Sequence, residues 1–150
     1  DCVIYEPFGR NCASIGLRAD VLDELRKPKE EWSILPYGTI QYLLVPNALV
    51  VHQLDHIELW RVEPLDVGRV RAATSLFAPA PPADESARRY WKKNLDLLLD
   101  VTGNEDFPMM ERIYATLRSG ALPELVYGRN EPPLVHFHTT INELLATAPR

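Results

Sequence analysis

The stretch YGTIQYLLVPNALVVHQLDHIELWRVEPLDVGRVRAATSLFA, from Tyr37 to Ala78, decides the fold. Thr39–Val45, Leu49–Gln53, Ile57–Val62 and Arg69–Phe77 are short runs rich in β-branched, aromatic and apolar residues. Pro46-Asn47, Leu54-Asp55 and Asp66-Val67-Gly68 separate them, and these are turn-forming residue types. Short strands joined by short turns predict an antiparallel meander.

Beyond Ala78-Pro79-Ala80-Pro81-Pro82 the period changes. Asp84 is placed to cap a helix over 85–101, with Trp91, Leu95, Leu98 and Leu99 as its apolar positions. Thr102-Gly103-Asn104 reads as a break. A second helix then covers 105–119, carrying the stripe Met110, Ile113, Tyr114 and Leu117, with Gly120 suited to its stop. A third covers 132–146, with Asn130 near its cap and the stripe Leu134, Phe137, Ile141, Leu144 and Leu145. Strands followed by helices predict an α+β fold, with helices on one face of an antiparallel sheet. The segment before Trp32 gives no clear pattern, and Val21–Arg26 suits a short helical or strand piece.

A chain of 150 residues is one domain in size, able to bury about 70% of its unfolded surface. Its net charge of −5 is spread without a basic face, which argues against nucleic acid as the main partner. No apolar run reaches the ~20 residues that span a bilayer. The first ten residues lack the pattern of a signal peptide, so a cytoplasmic location is expected. Cys2 and Cys12 do not form a Cys-x-x-Cys motif, and two reduced thiols are expected rather than a bridge or a zinc site. The chain begins at Asp1 without an initiator Met and is taken as a piece of a longer protein.

Asp106 stands out in the second helix. It continues the stripe 106, 110, 113, 117 toward the helix start, while Glu105 is turned about 100° away. A carboxylate aligned with a buried stripe costs several kcal/mol unless it is paired, hydrogen-bonded or metal-bound. The plain alternative is an N-capping Asp, with Pro108 in the first turn and the helix dipole favouring the anion. Periodicity alone leaves both readings open.

Glu105-Asp106-Phe107-Pro108-Met109-Met110-Glu111, followed by Gly128-Arg129-Asn130-Glu131, resembles the closing motifs of ring-hydroxylating oxygenase α subunits of the Rieske non-haem iron family. Upstream, Val45-Pro46-Asn47 resembles the family's Phe-Pro-Asn, with Val in place of Phe. Arg61-Val62-Glu63-Pro64-Leu65-Asp66 resembles the strand leading into the next turn, and the likeness runs from about Tyr37 to Leu145. It implies the C-terminal part of a catalytic domain with a helix-grip (START-like) fold, here an incomplete copy. It also implies a mononuclear Fe(II) held by two His and one carboxylate, with open positions for O2 and substrate. The family's carboxylate ligand is the second acid of the pair, which maps onto Asp106.

The likeness further implies mono- or dioxygenation of an aromatic or similar apolar substrate. Electrons would come from a reductase or ferredoxin through a [2Fe–2S] cluster, and the assembly would be a trimer. Tyr42, Leu95, Leu98, Phe107 and Met110 are the candidates for an apolar pocket wall. The departures are plain. The Asp-x-x-His-x-x-x-x-His pattern that carries the family's two imidazoles is absent, as are the cysteine–histidine pairs of the cluster domain. Tyr114 stands eight residues after Asp106, where the family often has Gln. This chain is therefore expected to be inactive alone and to hold no iron.

His52 and His56 fall on strands around a turn and lack the Glu of a zinc-protease helix, so a metal site is not expected there. His136 and His138 lie two residues apart on a predicted helix, about 200° around its axis, which one metal cannot readily share. The rival reading from another class is a non-catalytic helix-grip domain that binds an apolar small molecule without metal. Upstream sequence carrying the cluster and two-His motifs would separate the two.

Overall fold

The computed structural model describes residues 3–122 and 124–148. Six strands form one sheet in the order of the chain: β1 Val3–Phe8, β2 Asn11–Leu17, β3 Gly38–Leu44, β4 Ala48–Gln53, β5 His56–Asp66 and β6 Arg69–Phe77. Every neighbouring pair is antiparallel. The last four strands are the meander read from the sequence, within a few residues at each end. The first two are an addition, falling where the residue pattern is not distinctive. Their two-residue turn is Gly9-Arg10, with Gly9 at φ 64, a left-handed conformation that costs glycine nothing. Pro7 sits on β1, an edge strand that can spare a backbone donor. Between β2 and β3 the chain makes 3-10 turns, the longest over Ala19–Arg26.

Residues opposite one another in the ladder share a face. One row runs Tyr5, Ser14, Gln41, Val51, Glu58 and Leu76. Cys12, Val51 and Glu58 are buried on that face, and Ala13 and Ile40 on the other. Glu58 keeps its carboxylate satisfied along its own strand. Trp60 donates its indole N–H to Oε2 at 3.0 Å, and His56 Nε2 lies 3.5 Å from Oε1.

This sheet and the helix α3, Pro132–Thr147, belong to one compact unit. α3 packs over β1 and β2. Its half-buried or buried positions include His136, Phe137, Thr140, Ile141 and Leu144, whereas Leu134 and Leu145 of the expected stripe are exposed. The helix is pinned by Tyr5, whose hydroxyl lies 2.8 Å from His136 Nδ1. Two prolines open the helix, and Glu131 rather than Asn130 stands at its N-cap position.

The second unit spans Ala80–Val126. α1, Glu85–Val101, begins as the sequence predicts, with the Asp84 carboxylate accepting from the Ala87 N–H at 2.7 Å. α2, Phe107–Arg118, precedes Gly120, which takes φ 72. The expected break between them is absent. Thr102–Asp106 is a π-helical turn that carries the chain from one helix into the other. The architecture is the α+β helix-grip class expected from the sequence.

Tyr5→Phe should leave His136 Nδ1 without its partner and lower stability by about 1 kcal/mol, read from urea unfolding. A second expectation concerns Glu24, buried beneath the 3-10 turns. Lys27 at 2.8 Å, the Tyr37 hydroxyl and the Ser33 N–H hold its carboxyl below the ordinary 4.5. A depressed folded value stabilises the fold above the ordinary pKa, and that stability fades as pH falls through the lowered value. Glu24→Gln should flatten this acid-side loss in melting midpoint below about pH 5.

Candidate functional site

Asp106 closes the π turn and directly precedes α2 in a continuous helical run. Its backbone is fully helical, at φ −71 and ψ −50, and its side chain makes no capping hydrogen bond. The N-capping alternative is therefore not what the structure contains, because the helix does not start there. Among the described residues, the Asp106 carboxylate has neither a hydrogen-bond donor nor an ion-pair partner. It is half-buried, while Glu105 beside it is exposed.

Phe107 is also half-buried, and Leu95 and Leu98 are half-buried on α1. Met110 is 59% exposed and Ile113 49%, so the α2 stripe is not buried as expected. α1 and α2 meet mainly through the π turn between them, which leaves their apolar sides no second layer within the unit. The desolvation cost assigned to Asp106 is reduced accordingly, since a half-exposed carboxylate keeps part of its hydration. Asp106, Leu95, Leu98, Phe107 and Met110 thus share one helical run, whereas Tyr42 lies on β3 in the other unit. Tyr42 packs edge-on against Phe8, with ring centroids 6.4 Å apart.

His52 Nδ1 and His136 Nε2 are buried without a hydrogen-bond partner among the described residues. His52 pairs across the ladder with Ile57, and His56 with Gln53, so the two imidazoles point to opposite faces of the sheet. His56 Nδ1 lies 2.7 Å from Asp55 Oδ1. His138 lies against the Tyr127 ring at 5.5 Å. No group of three His, Cys, Asp or Glu able to hold a metal exists among the described residues. For an iron centre, the chain therefore offers Asp106 as one available oxygen donor and does not complete the ligand set. Cys12 is a free, fully buried thiol whose pKa burial pushes up, and Cys2 lies outside the described residues.

A groove of about 630 Å³ lies beside α3 in the sheet unit, lined by Tyr5, Gly9, Arg129, His136, Thr140 and Glu143 among others. Sequence reading missed it, because its Tyr5–His136 contact joins residues 131 apart and β1 was not recognised. Its lining mixes these polar groups with the apolar Pro132 and Val135, and none of the wall residues expected from the sequence is among them.

No helix among the described residues is long and apolar enough to cross a membrane. No match was found among curated proteins or among solved structures. The model of one family, described as the ring hydroxylating alpha subunit (catalytic domain), matches residues 14–147. That match takes in the second half of β2, β3 to β6 and all three helices, and the chain belongs to this family of oxygenase catalytic domains.

Proposed function

We propose that the chain is the C-terminal part of the catalytic domain of a Rieske-type oxygenase that hydroxylates an aromatic or similar apolar substrate. Asp106 supplies the carboxylate of its Fe(II) site. The observation that carries this reading is the state of Asp106, a half-buried carboxylate within the matched region that caps nothing and pairs with nothing among the described residues. Such an iron, when bound, would supply oxygen-activating redox chemistry, and Asp106 would help to hold it. Asp106 would contribute a carboxylate oxygen and a negative charge to that site. The α-helical backbone after it fixes the direction of its side chain.

The two imidazoles and the cluster domain belong, on this reading, to other parts of the intact protein. Leu95, Leu98, Phe107 and Met110 follow Asp106 along the same helical run as wall residues, and Tyr42 is assigned to the wall from the sheet. A reductase or ferredoxin donor, a trimeric assembly and a cytoplasmic location complete the proposal. The rival reading is a metal-free domain for an apolar ligand, and the groove beside α3 sets Arg129, Glu143 and His136 beside the apolar Pro132 and Val135.

This chain alone should copurify without stoichiometric iron, because affinity depends on completing the ligand set. One iron per chain by metal analysis would contradict that. In the intact protein, Asp106→Ala should abolish iron occupancy and hydroxylation together while the visible absorption of the cluster persists. Glu105→Ala, on the exposed side, should keep most of its iron. Iron retained in both variants would remove Asp106 from the site, and loss in Glu105→Ala alone would assign the neighbouring acid.

A further inference from the structure

The π turn over Thr102–Asp106 lies between two apolar stripes that are out of step in the sequence. On α1 the stripe runs Trp91, Leu95, Leu98 and reaches Thr102, all half-buried. Continued in α geometry, at about 100° per residue, that line passes through Met109 and Thr116. The α2 stripe of Met110, Ile113, Tyr114 and Leu117 lies one residue later, roughly a quarter turn round the axis. An uninterrupted α-helix would therefore carry two apolar lines on different sides.

A π turn closes its hydrogen bond over five residues instead of four, so it absorbs one extra residue. Here the Phe107 N–H donates to the Thr102 carbonyl, five residues back. Two side chains hold the turn. Thr102 Oγ1 donates to the Leu98 carbonyl at 2.8 Å, and Asn104 Nδ2 donates to Asp100 Oδ1 at 2.8 Å. Gly103 contributes no side chain, and a Cβ built on it would meet nothing within 4 Å. Absorbing one residue turns the second stripe back by about 100° and brings Met110 and Leu117 close to the line of Leu95 and Leu98. Asp106 travels with that stripe, and the half-buried positions pass from Thr102 to Asp106 and on to Leu117.

We propose that the π turn sets the phase of α2, and that Thr102, Gly103 and Asn104 are positioning residues which bring Asp106 onto the apolar face of α1. The consequence for the metal rests on the reading of Asp106 as its ligand, whereas the alignment of the stripes does not. The test is a pair of deletions in the full-length protein, read by bound iron per chain, helical circular dichroism and melting midpoint.

Deleting Gly103 removes the extra residue and leaves a continuous α-helix with the stripes still aligned. That variant should fold and hold iron within about twofold of wild type. Deleting Gly103 and Asn104 together turns α2 by about 100° the other way. That variant should lose more than tenfold of its iron and melt below the single deletion. A folded single deletion that loses its iron overturns the proposal, as does a double deletion equal to the single one in both iron and melting midpoint. If the double deletion does not fold, the single deletion still decides. Asp106→Ala, measured alongside, separates the two readings. If it keeps its iron while the melting order of the deletions holds, the ligand assignment fails and the phase assignment stands.

Discussion

The register of the antiparallel ladder constrains everything else in the sheet unit. Each strand pairs with the next along the chain, so one hairpin register passes its phase to the following one from β1 to β6. Side chains alternate between faces with a period of two, and a slip of one residue would exchange the faces. Val51 and Glu58 would then trade places with neighbours that are half-buried or exposed. Glu58 makes the constraint sharp. A buried carboxylate is tolerable only while Trp60 and His56, two residues away on either side, stay on its face. That polar run specifies the register of β5 as much as the apolar residues around it do.

The same register presents Tyr5 to α3. Tyr5 shares its row with Ser14 and Val51, on the face over which the helix packs. Its hydroxyl meets His136 where the helix is half-buried, so one contact ties an edge strand to the C-terminal helix across almost the whole chain. The helix contributes both apolar and polar groups to this seam, with Phe137 and Ile141 beside His136 and the buried Thr140. A seam of this kind is poorly visible to hydrophobic periodicity. The stripe read from the sequence included Leu134 and Leu145, which are exposed, and omitted His136 and Thr140.

Legibility followed local signals. The strands β3 to β6 were readable because proline, asparagine and glycine punctuate runs of β-branched residues, and α1 because Asp84 offers a cap that the structure uses. The β1–β2 hairpin was not readable. Its turn, Gly9-Arg10, is not a common hairpin dipeptide, and Pro7 weakens the strand signal. Thr102-Gly103-Asn104 has the composition of a helix break, yet threonine and asparagine there bond back into the preceding turn and carry the helix on. Composition signalled an irregularity and could not say which kind. The expected burial of the α2 stripe failed for a different reason. Periodicity shows which side of a helix is apolar and is silent on whether anything covers it.

Among the described acids that are buried or half-buried, Asp106 alone has no partner. Glu24, Glu58, Glu63 and Asp66 each hold a basic group, an indole or a backbone N–H. Asp84 caps a helix, and Glu131 accepts from the Gly128 N–H. His136 and His56 are engaged with Tyr5 and Asp55, and His138 is packed against Tyr127. An iron site needs donors that the fold has left uncommitted, since a ligand already satisfied must give up one interaction to make another. Half-burial without a partner is unfavourable for a carboxylate in the isolated chain. It becomes useful once a cation occupies the space beside it, because a partly desolvated donor interacts with that charge through a lower dielectric. On the proposed reading, the helical run keeps one half-buried acid in reserve at its irregular turn.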